Sequence, residues 1–221
     1  MIDIALRNKV PGAVRAMVRD LEGRDVVWVD VEASDHRGAL TSASSSVLEA
    51  AAVTALRERL PLVGVIRSSG AALVEGFAAL HGWGRAAKAL TDCSGVVPTV
   101  LIVDGPAVSG PALLLGIADH VVMTEGSYAF VGGPTMVAEF TGVSIDNEEL
   151  GGAASHARYT GAATLVAPDL AAAIALTAAP TLTASPIVSP TATIAPTLTS
   201  TPVPGTPAAP MRIDLSEGAK S

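Results

Sequence analysis

The chain has 221 residues, a formal net charge of −7, and 49% apolar but only 3% aromatic residues, so it has room for one ordinary domain with a core of Ala, Val and Leu. The acidic balance excludes the dense basic stripe that nucleic acid or an anionic membrane surface requires. The single cysteine, Cys93, excludes an internal disulfide and a cysteine-rich zinc site.

The first eighteen residues, "MIDIALRNKVPGAVRAMV", alternate charged and apolar positions and lack the continuous apolar centre of a secretory leader. Later apolar runs are short or broken by Asp104, Asp119 and prolines, so none reads as a membrane span. With one cysteine besides, the expected location is the cytoplasm.

Four short β-rich runs follow: Asp25–Glu32, Pro61–Arg67, Pro98–Asp104 and His120–Glu125, each bounded by turn or charged residues. Between them the pattern predicts helices from Ser44 through "SSSVLEAAAVTALRERL", from Val74 to Cys93, and from Ser109 to Ile117. Strands separated by helices imply βαβ crossovers and a buried, largely parallel sheet, which is an α/β domain. Asp146 with Glu149 three residues later reads as a helix cap. Cys93 is expected to be buried and inert, since nothing beside it lowers its pKa. His156 reads as a structural hydrogen-bonding group.

After Leu176 the composition changes. Residues 177–210 hold eight of the fifteen prolines amid Thr, Ala and Ser, and no charge occurs between Asp169 and Arg212. Such a stretch buries too little to offset its ordering entropy. The expected organisation is a domain over 1–176 and a low-complexity, disordered Pro/Thr/Ala-rich tail over 177–221.

Chemistry in an α/β domain gathers where strands end and helices begin, because unsatisfied backbone N–H groups meet there. "VIRSSGAALVEG" and "GPAVSGPALLLGIAD" are two such junctions. Neither offers a reactive side chain, and what they share is main-chain N–H, the donor set for an oxyanion. A serine hydrolase is disfavoured, because "IRSSGAA" lacks the leading glycine of a nucleophile elbow. The four histidines are scattered, without metal-ligand spacing.

Together with "SYAFVGGPTMVAEFTGVSIDNEELGGAASH" and "TGAA", these stretches stand in the order seen in the N-terminal half of biotin-dependent acyl-CoA carboxyltransferases. The chain resembles the β subunits of acetyl-CoA and propionyl-CoA carboxylases from about Val26 to Asp169, most specifically from Gly126 to His156. The resemblance implies a crotonase-like fold, a spiral of ββα units that binds a CoA thioester. It puts the oxyanion position at Gly110 and Pro111, and substrate-binding backbone at Ser69, Gly70, Ala71, Gly105, Ser109, Gly132 and Gly133. It implies no metal and no tightly bound cofactor. Carboxybiotin would come from a biotin carboxyl carrier or biotin carboxylase partner in a homo- or hetero-oligomer.

Three departures bear on activity. The family reads Gly-Gly-Ala at Ser109, Gly110 and Pro111, and proline has no N–H. It reads Asp-Ser-Gly-Gly-Ala-Arg at Arg67 to Ala72, so the arginine at 72 is absent. The resemblance also ends before the biotin-binding half, which a partner or a continuation of the chain would supply. Two other readings stay open: a non-catalytic scaffold subunit of a carboxylase complex, and a stand-alone crotonase-type hydratase or isomerase using Glu75.

Overall fold

The computed structural model describes residues 13–33 and 36–178. Strands β1 (Val14–Leu21) and β2 (Arg24–Val31) form an antiparallel hairpin. Helix α1 (Ser42–Glu58) leads to β3 (Leu62–Ser68), α2 (Phe77–Cys93) to β4 (Thr99–Val108), and the short α3 (Gly110–Leu114) to β5 (His120–Thr124). Then come β6 (Tyr128–Phe130), α4 (Pro134–Thr141), α5 (Asn147–Gly151), a single turn α6 (Ala153–Ser155), β7 (Leu165–Ala167) and α7 (Leu170–Ala178).

The sheet runs β1-β2-β3-β4-β5-β7 and is parallel from β2 onwards. Strand β4 does double duty: Val100–Val103 pair with β5, and Pro106–Val108 pair with β6. Successive residues face opposite layers. Val27, Val29, Leu62, Leu101 and Val103 pack against α1 and α2, while Val26, Trp28, Val63, Val65, Val100 and Ile102 join Ala173 and Ala178 of α7 on the other side. Fully buried Ala51, Ala52, Ala55 and Ala86 let α1 and α2 approach closely. A Cβ on Gly82 would stand 3.1 Å from both Ser42 Cα and Ser45 Cβ. The scarcity of aromatic residues is thus met by close helix packing.

The four expected strands and the α/β class are present, with four differences. Strand β1 has no counterpart in the reading above. It is an edge strand in which Arg15, Arg19 and Asp20 interrupt the apolar residues, and the two-residue turn Glu22-Gly23, with φ of 51° and 83°, closes the hairpin. The helix expected from Val74 is split: Leu73–Glu75 form a 3₁₀ turn, and Gly76 at φ 52°, ψ −123° breaks the chain before α2. The helix expected over Ser109–Ile117 is α3 followed by 3₁₀-type bonds, such as Ile117 N–H to Leu114 O at 3.0 Å. Helix α7 runs to Ala178 and buries Thr177, crossing the expected domain boundary by two residues. The expected tail, from 179 onwards, lies outside the described residues.

Candidate active site

The two glycine turns lie side by side because the strands before them are neighbours in register. Ser68 at the end of β3 pairs with Ala107 of β4, and a Cβ on Gly70 would sit 3.4 Å from Ser109 Cβ and from Val108 O. Gly70 has φ +113° and meets that approach without strain.

Hydrogen bonding consumes almost every N–H of the first turn. Ser69 N–H donates to Arg37 O at 3.0 Å, Gly70 N–H to Ser68 Oγ at 3.2 Å and Ala72 N–H to Leu40 O at 2.9 Å. The loop from Arg37 to Leu40 thus splints the turn, aided by Leu40 N–H donating to Gly70 O at 2.8 Å. Ala71 N–H is left, without an acceptor among the described residues. The second turn behaves alike: Ser109 N–H donates to Phe130 O at 2.9 Å, Ala112 N–H to Ser109 O at 3.1 Å, and Pro111 has none to give. Gly110 N–H remains without an acceptor among the described residues. Among the described residues each turn thus leaves a backbone donor without an acceptor, Ala71 on one side and Gly110 on the other.

The remaining expected site residues divide. Ser69, Gly70 and Ser109 form the walls of this junction, and Ser109 is exposed. Gly132 and Gly133 follow the end of β6, whose Phe130 carbonyl holds Ser109 N–H, so they border the second turn. Gly133 precedes Pro134 at the start of α4. Gly105 is elsewhere: it lies inside β4 at φ +134°, between the paired residues Val103 and Ala107, where the β3–β4 register shifts, and against the stem of Arg67.

Several side chains have structural duties. Buried Ser68 Oγ donates to Gly38 O at 2.6 Å while accepting from Gly70 N–H, so it is no nucleophile. Glu75 Oε2 accepts Ser42 N–H at 2.6 Å and closes the start of α1, where Thr41 Oγ1 accepts Ser44 N–H at 3.0 Å. Asp146 accepts Glu149 N–H at 2.8 Å at the head of α5, as the capping pattern predicts. His156 Nε2 lies 2.7 Å from Ala129 O and its Nδ1 2.8 Å from Thr160 Oγ1, which ties the α6 region to β6. Cys93 is fully buried. Burial, with Asp92 and Asp119 adding to it, pushes its thiol up to about 11.

Two features escaped the reading of the sequence. Arg67, where the resemblance expects an acid, bridges Asp30 of β2 at 3.0 Å and Asp104 of β4 at 2.8 Å, and Thr124 Oγ1 donates to Asp104 at 3.0 Å. Trp83 of α2 covers Gly110, an approach that only folding reveals.

A sheet parallel from β2 onwards, with an amide donor left without an acceptor at each of two neighbouring strand ends among the described residues, defines an α/β domain. Residues 12–204 match the carboxyl transferase domain family, and the chain belongs to that family. It is 32% identical over 171 residues to the propionyl-CoA carboxylase beta chain of Rhodococcus erythropolis, covering 77% of this chain and 36% of that protein. It is 39% identical over 116 residues to the biotin-dependent acetyl-/propionyl-coenzyme A carboxylase beta6 subunit of Mycobacterium tuberculosis (strain ATCC 25618 / H37Rv), 52% of this chain and 24% of that one. The chain therefore spans about a quarter to a third of the length of these relatives.

Among solved structures, transcarboxylase 12S with hydrolysed methylmalonyl-coenzyme A bound superposes with TM-score 0.74 at 28% identity, over 75% of this chain and 32% of that chain. A Pseudomonas malonate decarboxylase hetero-dimer shares the fold at TM-score 0.68 and 19% identity, covering 76% of each chain. The crotonase-like α/β fold expected from the motifs is the fold found. Among the described residues no helix is long and apolar enough to cross a membrane.

Proposed function

We propose that the chain is the acyl-CoA-binding half of a biotin-dependent acyl-CoA carboxyltransferase, with an acetyl- or propionyl-CoA type substrate. The observation that carries this reading is the pair of free donors, Ala71 N–H and Gly110 N–H, at neighbouring strand ends in a member of the carboxyl transferase family. An acyl thioester whose carbonyl oxygen lies between them loses an α-proton more readily, because the enolate oxygen meets donors already oriented. Each such donor contributes about 3–4 kcal/mol to lowering the barrier. Carboxybiotin, carried by a partner, supplies the carboxyl group that the α-carbon accepts.

The described turns hold no free carboxylate or imidazole to take the proton: Glu75 is committed to α1 and His156 to Ala129. The base thus comes from outside these turns, which fits a site shared with a second subunit. Leu73, Val74, Phe77 and Phe140 are 84–98% exposed, the kind of apolar surface a partner covers. A cytoplasmic, oligomeric complex with a biotin carboxyl carrier accords with these features.

The test is capture of the full chain with its partners from its source lysate, then assay of labelled carboxyl transfer from carboxybiotin to acetyl-CoA and propionyl-CoA. Gly110→Val is a poor probe, since its Cβ would meet Trp83 Nε1 at 2.6 Å. Ala71→Pro deletes the free N–H while breaking no internal hydrogen bond. The expected result is transfer by the native complex and a fall of about 10²–10³-fold in the variant, with an unchanged melting temperature. Full transfer by the variant, or none by the native complex, overturns the reading. Pro111 favours a second reading, a non-catalytic scaffold, and a native complex whose activity is untouched by Ala71→Pro would select it.

A further inference from the structure

Gly110 carries the second donor, and the residue seated on it is Trp83. A Cβ on Gly110 would stand 2.6 Å from Trp83 Nε1, 2.9 Å from Cδ1 and 3.0 Å from Cε2. The near-equality of those distances means that the glycine meets the face of the ring at its nitrogen. An approach along the N–H bond would leave both carbons much farther than the nitrogen. The face of the indole thus lies against the Gly110 α-carbon at its nitrogen.

Standard bond lengths then put Gly110 N within about 5 Å of Trp83 Nε1. Two donors so spaced can share one oxygen, each at about 2.9 Å. Trp83 Nε1 is buried and has no acceptor among the described residues, and neither has Gly110 N. A buried indole N–H ordinarily finds a partner, and here two adjacent donors lack one.

We infer that Trp83 is a further catalytic residue, its indole N–H joining Gly110 N–H on the carbonyl oxygen of the acyl group and standing in for the donor that Pro111 lacks. The inference rests on the acyl-CoA reading above. The indole nitrogen is buried, so an oxygen that reaches it changes the surroundings of the ring, and Trp83 emission reports the event. Trp28, the other tryptophan, lies on the opposite face of the sheet beneath the Arg19 guanidinium, 3.6 Å from its ring centroid, and does not respond.

The experiment measures binding of propionyl-CoA and of CoA, which has no acyl carbonyl, to the full 221-residue chain and its Trp83→Phe variant, with tryptophan emission and melting temperature alongside. The expected result is a roughly tenfold loss of propionyl-CoA affinity in the variant, unchanged CoA affinity, and an emission shift in the native chain with propionyl-CoA only. A variant that keeps both affinities overturns the role of Trp83 and leaves the acyl-CoA reading standing. A native chain that binds neither ligand overturns both. Should Trp83→Phe fail to fold, the native emission decides: a shift on propionyl-CoA binding supports the role, and none overturns it.

Discussion

Gly70 and Ser109 face each other across the two turns, close enough that a Cβ on Gly70 would touch the Cβ of Ser109 at 3.4 Å. The contact exists because β3 and β4 are parallel neighbours that end in the same region, and it sets the separation of the two free donors that follow, Ala71 and Gly110. Both turns depend on backbone shapes suited to glycine, yet only one of these two residues is glycine.

Ser109 sits at φ 62°, ψ −122°, nearly the conformation of Gly76 at φ 52°, ψ −123°. A side chain there costs about 1–3 kcal/mol, whereas glycine costs about 0.5–1 kcal/mol in unfolded-state entropy. Ser109→Gly should therefore stabilise the chain by about 1 kcal/mol, read as a higher denaturation midpoint. A lower midpoint would mean that the Ser109 hydroxyl makes a contact worth more than the strain.

Glu75 closes the start of α1 through Ser42 N–H. Glu75→Gln keeps an acceptor and loses only the favourable charge at a helix N-terminus, about 0.3–1 kcal/mol. Glu75→Ala should cost about 1–3 kcal/mol, because a partly buried N–H is orphaned. Turnover should survive Glu75→Gln nearly intact. Loss of turnover with normal melting would show that the carboxylate reaches substrate and would revive the hydratase or isomerase reading.

Arg67 holds Asp30 of β2 and Asp104 of β4 together, with 22% of its side chain exposed. Arg67→Ala leaves two facing carboxylates without their cation and should cost about 1–3 kcal/mol, the range for charged hydrogen bonds that retain some solvent. A double-mutant cycle with Asp104→Asn should show coupling. Additive effects would mean that the pair contributes nothing beyond its separate contacts.

Burial pushes the Cys93 thiol from 9.0 up to about 11, with Asp92 and Asp119 acting in the same direction. The sign follows from proton binding. The unfolded chain releases this proton first, so the stability linked to the neutral thiol is complete below pH 9 and is lost as pH rises towards 11. Denaturation midpoints measured from pH 8 to 11 should fall for the native chain and fall less for Cys93→Ala. A thiol reagent at pH 8 should modify Cys93 only after unfolding, and rapid labelling of the native chain would contradict its burial.

What could be read from the sequence was whatever repeats along one segment. The apolar runs that became β2 to β5 are continuous because a parallel sheet is buried on both faces, and the Asp146 cap is a local hydrogen bond between residues three apart. The glycine turns and the family were legible too, because each rests on short contiguous patterns. Strand β1 was hidden by Arg15, Arg19 and Asp20, which break its apolar run, although the Glu22-Gly23 turn beside it was a usable signal. Tertiary structure alone decided which amides are free, since Arg37, Leu40 and Phe130, distant in the chain, consume the neighbours of Ala71 and Gly110. It also decided that Glu75 serves a helix, that Arg67 joins three strands and that Trp83 lies on Gly110. Such pairings are set by how strands register and helices cross, and no local propensity encodes them.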